Sequence, residues 1–383
     1  MGAAADASAT ADLADRHPGA RAGFVFAGPD GPDDRDDVGA AIEAMYDRGL
    51  TDGLPVVPPT PTRVAAMLAG GPWAADDVLL VEQTRELVVT AYQAAVCAVM
   101  AGARPQYFPV VGAALDAMSD PSFFLHGPTT STGGATVMVV VSGPVAAQIG
   151  LHGRENLFGP GFRANATIGR TIRLVQLHCL VALPGQLDKS TQGWPGKFSL
   201  CFTENTEASP WEPVHVALGF DQGASTVTIF AAESGHNVVN HGAGDAEPLL
   251  ATFADAMAAL GSFSPGRSVV VFAPEHAAKL SGWSRRAVQE YLYEHAVRDL
   301  ATLKRTGKIE DDPSAEVDWH GRWRAAGSQE IAPGDDRILV HRGWSPDDIL
   351  VLVGGGTAGG HSSFFPSWSR GRSVALVTRE VAK

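Results

Sequence analysis

Residues 267–274, RSVVVFAP, hold four apolar residues in a row between Ser268 and the Ala273-Pro274 end. The run is short, β-branched and closed by a proline, so it reads as a strand. Three further stretches read the same way: STVTIFAA (225–232), DILVLVGGG (348–356) and RSVALVTRE (372–380). Helical patterns separate them. AEPLLATFADAMAAL (246–260) lies between the first pair; EHAAKL (275–280) and SRRAVQEYLYEHAVRDLATL (284–303) follow RSVVVFAP. Strands alternating with helices predict an α/β fold with a mixed or mostly parallel sheet and flanking helices.

The first half extends the pattern. ATVMVVVSGPV (135–145) is a continuous apolar run ending in Gly-Pro, which predicts a buried strand feeding a turn and presents Ser142 and Gly143 at its end. DDVGAAIEAMYDRGL (36–50), LVVTAYQAAVCAVMAGA (87–103) and FPVVGAALDAMSD (108–120) predict helices, the last two largely buried. GFRANATIGRTIRLVQLHCLVAL (161–183) predicts a long helix starting at Asn165 or Thr167. In TDGLPVVPPTPTRVAAMLAGG (51–71) the prolines forbid a helix until PTRVAAML, capped by Thr60 or Thr62. The expected organisation is a disordered Ala- and Asp-rich leader over 1–36, a first α/β lobe over 37–220 and a second over 221–383. The two lobes would flank a cleft. A charged excursion over 306–335 would be anchored by Trp319 and Trp323.

Charge and cysteine content bound the function. A formal net charge of −13 without a basic patch argues against nucleic-acid or anionic-membrane partners. No apolar stretch reaches 18 residues and no signal peptide pattern opens the chain, so a cytoplasmic protein is expected. Cys97, Cys179 and Cys201 are too few and too widely spaced for a disulfide framework or a C-x-x-C metal knuckle. Cys97 and Cys179 sit in apolar helical runs. Cys201 sits in polar company.

That company is GKFSLCFTENTEASPWEPVH (196–215). If KFSLCFTE alternates as a strand, Lys197, Ser199, Cys201 and Thr203 share one face. A thiol near Lys197 and His215 could act as a nucleophile, while nearby Glu204, Glu207 and Glu212 favour its neutral form. Glu204 is placed as a general acid or base at the strand end. Other candidates sit where strands run out, as ligands in open α/β sheets do. DILVLV runs into GGGTAGGHSSFFPSW (354–368), whose glycines, Gly355 and Gly356 among them, could cradle an anion before His361. TVTIFAA runs into ESGHNVVNHG (233–242), where Glu233, His236 and His241 could hold a metal or simply be solvated. HGPTTSTGGAT (126–136) offers Thr129, Thr130 and Ser131, either to an anionic group or to its own turn. In FGPGFRANATIGR (158–170), Arg163 and Asn165 stand at a helix start, which favours an anionic ligand group. GGGTAGG matches no nucleotide fingerprint, so no dinucleotide cofactor is implied and a metal is the one cofactor with candidate ligands.

Several of these stretches together carry a resemblance: TDGLPVVPPT, AVMAGARPQYFPVV, GPGFRANATIGR, PGKFSLCFTEN and SPWEPVH. They resemble an uncharacterised bacterial family whose members are often encoded beside small UGSC-motif thiol/selenol proteins. The resemblance spans most of residues 40–370 and implies a shared site architecture more than an activity. Family members often carry histidines in TTHP and THGQPGK stretches, where this chain has Ser131 and Gln192. A metal role resting on those positions is therefore in doubt here.

The expected function is an enzyme of small-molecule metabolism, lyase or hydrolase in type, acting on an anionic organic substrate. Cys201, Glu204, His215, His236 and His361 are the candidate catalytic residues. Arg163, Asn165, Thr129, Thr130, Ser131, Lys197, Gly355 and Gly356 are the candidate binding residues. The alternatives are a His/carboxylate metal enzyme and an accessory subunit of a thiol protein; a homo-oligomer would be compatible with either.

Overall fold

A computed structural model describes residues 21–22, 38–264, 266–308, 330–368 and 375–382. Trp319, Trp323, most of the charged excursion and most of the leader lie outside them.

The described strands run in chain order. β1 (Arg21–Ala22), β2 (Val78–Glu82) and β3 (Leu87–Thr90) form a small sheet in the order β1-β3-β2, so two residues of the expected leader pair with β3. β4 (Thr136–Ser142), β5 (Cys201–Phe202) and β6 (Thr226–Ala232) belong to one larger sheet. β7 (His236–Val239) and β8 (Ser268–Phe272) belong to another. β9 (Val297–Asp299) and β10 (Leu339–His341) make an antiparallel pair. β11 (Ile349–Val353) and β12 (His361–Pro366) return to the β8 sheet, and β13 (Val377–Glu380) to the β6 sheet. The two larger sheets read β13-β6-β4-β5 and β11-β8-β12-β7. Both are mixed: β4–β5 and β8–β11 run parallel, and their other pairs antiparallel. The fold is α/β, as expected, and residues beyond 221 contribute to both large sheets.

Alternation along the strands sets the layers. Met138 and Val140 of β4, Phe202 of β5 and Phe230 of β6 share a core with Val269, Val271, Leu350, Leu352 and Phe365 of the other sheet. Val137, Val139 and Val141, one residue out of phase, pack instead with the helices Ala91–Ala101, Phe108–Ser119 and Arg163–Leu174. Val270, Phe272, Val351 and Phe364 likewise turn to the helices Ala246–Met257 and Arg285–His295. Two sheets therefore stack face to face with helices on both outer sides. Strands apolar on both faces are what this arrangement demands, which is why RSVVVFAP, STVTIFAA and DILVLV read as continuous runs.

Local signals account for several boundaries. Thr90 and Gln93 form a reciprocal capping box, and Gly102 closes the same helix in a left-handed conformation (φ +81°). The cap also corrects an expectation: Leu87–Thr90 is strand, and the helix starts at Ala91. The helix expected from Asn165 begins at Arg163 and ends in a wider turn over Val175–Cys179. SRRAVQEYLYEHAVRDLATL is two helices, Arg285–His295 and Leu300–Arg305, separated by β9. No described helix is long and apolar enough to cross a membrane.

Candidate active site

Where β4 ends, the chain must turn at once. Ser142 is its last residue, and Gly143 adopts φ +85° with no room for a side chain: a Cβ there would lie 2.0 Å from Ala224 O. β5 lies parallel to β4 with Val139 opposite Cys201, so residues 203–205 emerge at the same end of the sheet as Ser142. Into this end comes the segment SPWEPVH. Arg285 holds it, donating from Nη1 to Glu212 Oε1 (2.8 Å) and from Nη2 to Glu212 O, with the guanidinium over the Trp211 ring. Trp211 Nε1 in turn donates to Trp283 O. That clamp delivers Val214 N–H to Glu204 Oε1 at 2.8 Å and places His215 beside it in sequence.

The result is a cleft of about 450 Å³ lined by Glu204, His215, Gly143, Gly153, Arg154 and Asn205, among others. Glu204 is 5% exposed and His215 1%. His215 Nε2 faces Gln222 O at 3.3 Å, so Nε2 is the donor and, in the neutral ring, Nδ1 carries the lone pair. Nδ1 has no partner, nor do Glu204 Oε2, Ser142 Oγ and Thr226 Oγ1, all of them buried. Ser142 and Thr226 face each other across β4 and β6. Buried polar atoms are nearly always paired, so unpaired ones on two cleft-lining residues, Glu204 and His215, with the Ser142 hydroxyl near the carboxyl, mark a site of polar chemistry. Burial pushes the Glu204 carboxyl above the usual range; the Val214 N–H and Arg285 pull it back in part. The Ser142 hydroxyl also eases its ionisation, without the geometry of a full hydrogen bond.

The far wall is set by Asn165. Its Oδ1 accepts from His152 N (2.9 Å) and its Nδ2 donates to His152 O (2.8 Å), fixing the backbone that leads to Gly153 and Arg154. Asn165 therefore positions the cleft wall and is itself fully engaged. Arg154 pairs with Glu207 at the exposed rim.

The remaining candidates fall elsewhere. Cys201 belongs to the helix-side core with Val139 and Val141, and burial pushes its thiol far above the usual range. The expected strand 197–204 shrinks to Cys201–Phe202 because Pro195–Lys197 is a helical turn; Lys197 and the thiol therefore share no face. Lys197 instead pairs with Asp188. Arg163 is exposed and donates to Gly102 O. Thr129 and Thr130 donate to the backbone carbonyls of Leu125 and His126, and Ser131 Oγ accepts from Gly133 N and Trp368 Nε1. Those hydroxyls stabilise their own turn. Gly355 N–H donates to Gly153 O, and Gly355 O accepts from Asn205 Nδ2 (3.1 Å), so the glycine loop is stitched to the cleft wall. Gly356 is needed for contact: a Cβ would lie 2.7 Å from Glu155 Cγ.

His236 and His361 lie on paired strands, β7 and β12, where loops were expected. His236 stacks on Phe364, and its pKa is lowered by burial and by Arg342. His361 packs its ring edgewise against His241, whose Nδ1 accepts from Gly360 N. Among the described residues no three His, Cys, Asp or Glu side chains are grouped to hold a metal ion, so Glu233, His236 and His241 do not form the metal site considered above. Of the expected catalytic residues, the structure thus brings Glu204 and His215 together. Ser142 and Thr226 gain interest only through burial, and no local motif marks them. Comparison with family models, curated proteins and solved structures returned no match to this chain.

Proposed function

We propose that the chain is an enzyme of the lyase or hydrolase type in which Glu204 and His215 act as an acid–base pair on a small polar organic substrate. The observation that carries this reading is the pair of buried, unpartnered atoms on two residues that line one cleft, Glu204 Oε2 and His215 Nδ1. Burial favours the protonated carboxyl, so Glu204 supplies a proton to a leaving oxygen. The free lone pair on His215 Nδ1 accepts one from carbon or from water. Arg154, at the rim, offers a cation to an anionic substrate group in exchange for its exposed partner Glu207. Cys201 takes no part.

The test is proton nuclear magnetic resonance in deuterated buffer, following a panel of hydroxy- and acyloxy-carboxylic acids incubated with the purified protein. Turnover or deuterium exchange of one compound is expected. It should fall by about 10²–10⁴-fold in Glu204→Gln and in His215→Gln, and persist in Cys201→Ala. Undiminished turnover in both cleft variants would defeat the proposal.

A further inference from the structure

The loop leading to Lys197 carries a second constellation. Ser190 Oγ lies 2.7 Å from Lys197 Nζ and 2.6 Å from Asp188 Oδ1, and Lys197 Nζ lies 2.7 Å from Asp188 Oδ2. The same carboxylate accepts from Ser190 N–H and from Arg173 Nη2, each at 3.1 Å. A neighbouring loop fixes the arrangement: Ser190 Oγ is 3.0 Å from Gly133 O, Thr191 N–H donates to Thr132 O, and Thr136 Oγ1 donates to Gly196 O. Gly134 could not carry a Cβ, which would lie 2.4 Å from Gln192 O. Asp188 is buried and Lys197 largely so, whereas Ser190 is half-buried beside exposed Lys189, Thr191 and Gln192. Ser190 therefore meets solvent in part while its partners are held still.

This is not the geometry of a plain ion pair. A Lys–Asp pair needs no serine, and here the serine oxygen is as close to the ammonium as the carboxylate is. Arg173 competes for the very oxygen that holds Lys197, so the lysine shares its counter-charge with a second cation. Burial and the Arg173 charge both ease the loss of the Lys197 proton, and Asp188 resists it. As folded, the Lys197 ammonium donates to Ser190 Oγ, whose own proton faces Asp188 Oδ1 and Gly133 O. Once Lys197 is neutral the same contact sets a hydroxyl against a base oriented by a third group, the general form of an activated nucleophile.

We propose that Ser190 is the nucleophile of an ester-cleaving site, with Lys197 as its base and Asp188 as the positioning residue. This site is distinct from the Glu204 cleft. Thr136, which contacts the Ser190–Lys197 loop, begins β4, and Ser142 at the cleft ends it, a separation of roughly 20 Å at strand rise. In its neutral form Lys197 removes the Ser190 proton as Oγ bonds to the ester carbonyl carbon, and the carbonyl π pair moves onto oxygen. That pair returns as the carbon–alkoxide bond breaks, and the Lys197 ammonium gives its proton to the departing alkoxide. An acyl-Ser190 and an alcohol result. Water, activated by Lys197 in the same way, releases the carboxylic acid and restores the serine. The substrate class is a small carboxylic ester.

The full chain would be treated with a fluorophosphonate, its peptides mapped by mass spectrometry, and its hydrolysis of p-nitrophenyl acetate measured. Phosphonylation at Ser190 is expected, lost in Ser190→Ala. Lys197→Arg keeps the charge and the pairing with Asp188 but cannot accept a proton, so it should lower ester hydrolysis at least about 100-fold with folding unchanged by circular dichroism. Absence of label at Ser190, or parental hydrolysis in Ser190→Ala or in a folded Lys197→Arg, overturns the assignment.

Discussion

Glu204 couples the protonation of the cleft to the stability of the chain. Its carboxyl, buried with one oxygen unpaired, has its folded pKa raised above the unfolded one, chiefly by burial. A raised folded pKa means that the stability it contributes is fully present below the unfolded carboxylate range and is lost as pH climbs through the folded value. Glu204→Gln keeps the neutral shape and removes the titration. Thermal unfolding should therefore show the parent losing stability relative to Glu204→Gln as pH rises from the usual carboxylate range towards neutrality. A constant difference across that range would show that the carboxyl is ionised throughout. The Val214 N–H, Arg285 and the Ser142 hydroxyl each favour the charged form, so the raised value records a desolvation cost that these three do not offset.

Elements differ in how much tertiary structure they need before they can be recognised. β4, β6, β8 and β11 were legible because both faces are buried, and five to seven apolar or small residues in a row have few other uses. β9 was not, since three residues carry no periodicity, and β5 was read as longer than its two residues for the same reason. β7 and β12 were hidden by their polar ends, His236-Asn237 and His361-Ser362-Ser363. Glu204 and His215 could be placed from their dense polar segment. The thiol between Lys197 and Glu204 misled, because strand alternation there breaks after two residues. Ser190 lay in LDKSTQGWPGK, where the resemblance singled out Gln192 and nothing singled out the serine. One element-scale contact can be tested directly. Asp52 receives both Arg170 Nε (2.8 Å) and Arg170 Nη2 (2.7 Å), joining the proline-rich segment to the helix Arg163–Leu174. Asp52 is 2% exposed at its side chain, so Asp52→Ala strands a largely buried guanidinium and should cost about 3–5 kcal/mol in chemical denaturation. A loss under about 1 kcal/mol would mean that the pair behaves as a surface bridge.

At the scale of the molecule, the two stacked sheets share one core, and β6 stands in the middle of its sheet, between β4 and β13. β13 pairs through Val377↔Ile229 to Glu380↔Thr226. A chain ending before Ala375 keeps every residue of the cleft but exposes the β6 edge. Such an edge is a template for pairing with other chains, so the truncated protein should elute as aggregates in size-exclusion chromatography. A monodisperse monomer with parental circular dichroism would refute this. The same connectivity sets a clock on synthesis. β13 is made about 145 residues after β6, which at roughly 5–20 residues per second is about 7–30 s. Throughout that interval the sheet that carries the cleft is unfinished. Until β13 arrives, the β6 edge is open to other chains, so the order of synthesis sets how long the chain must be kept apart from its neighbours.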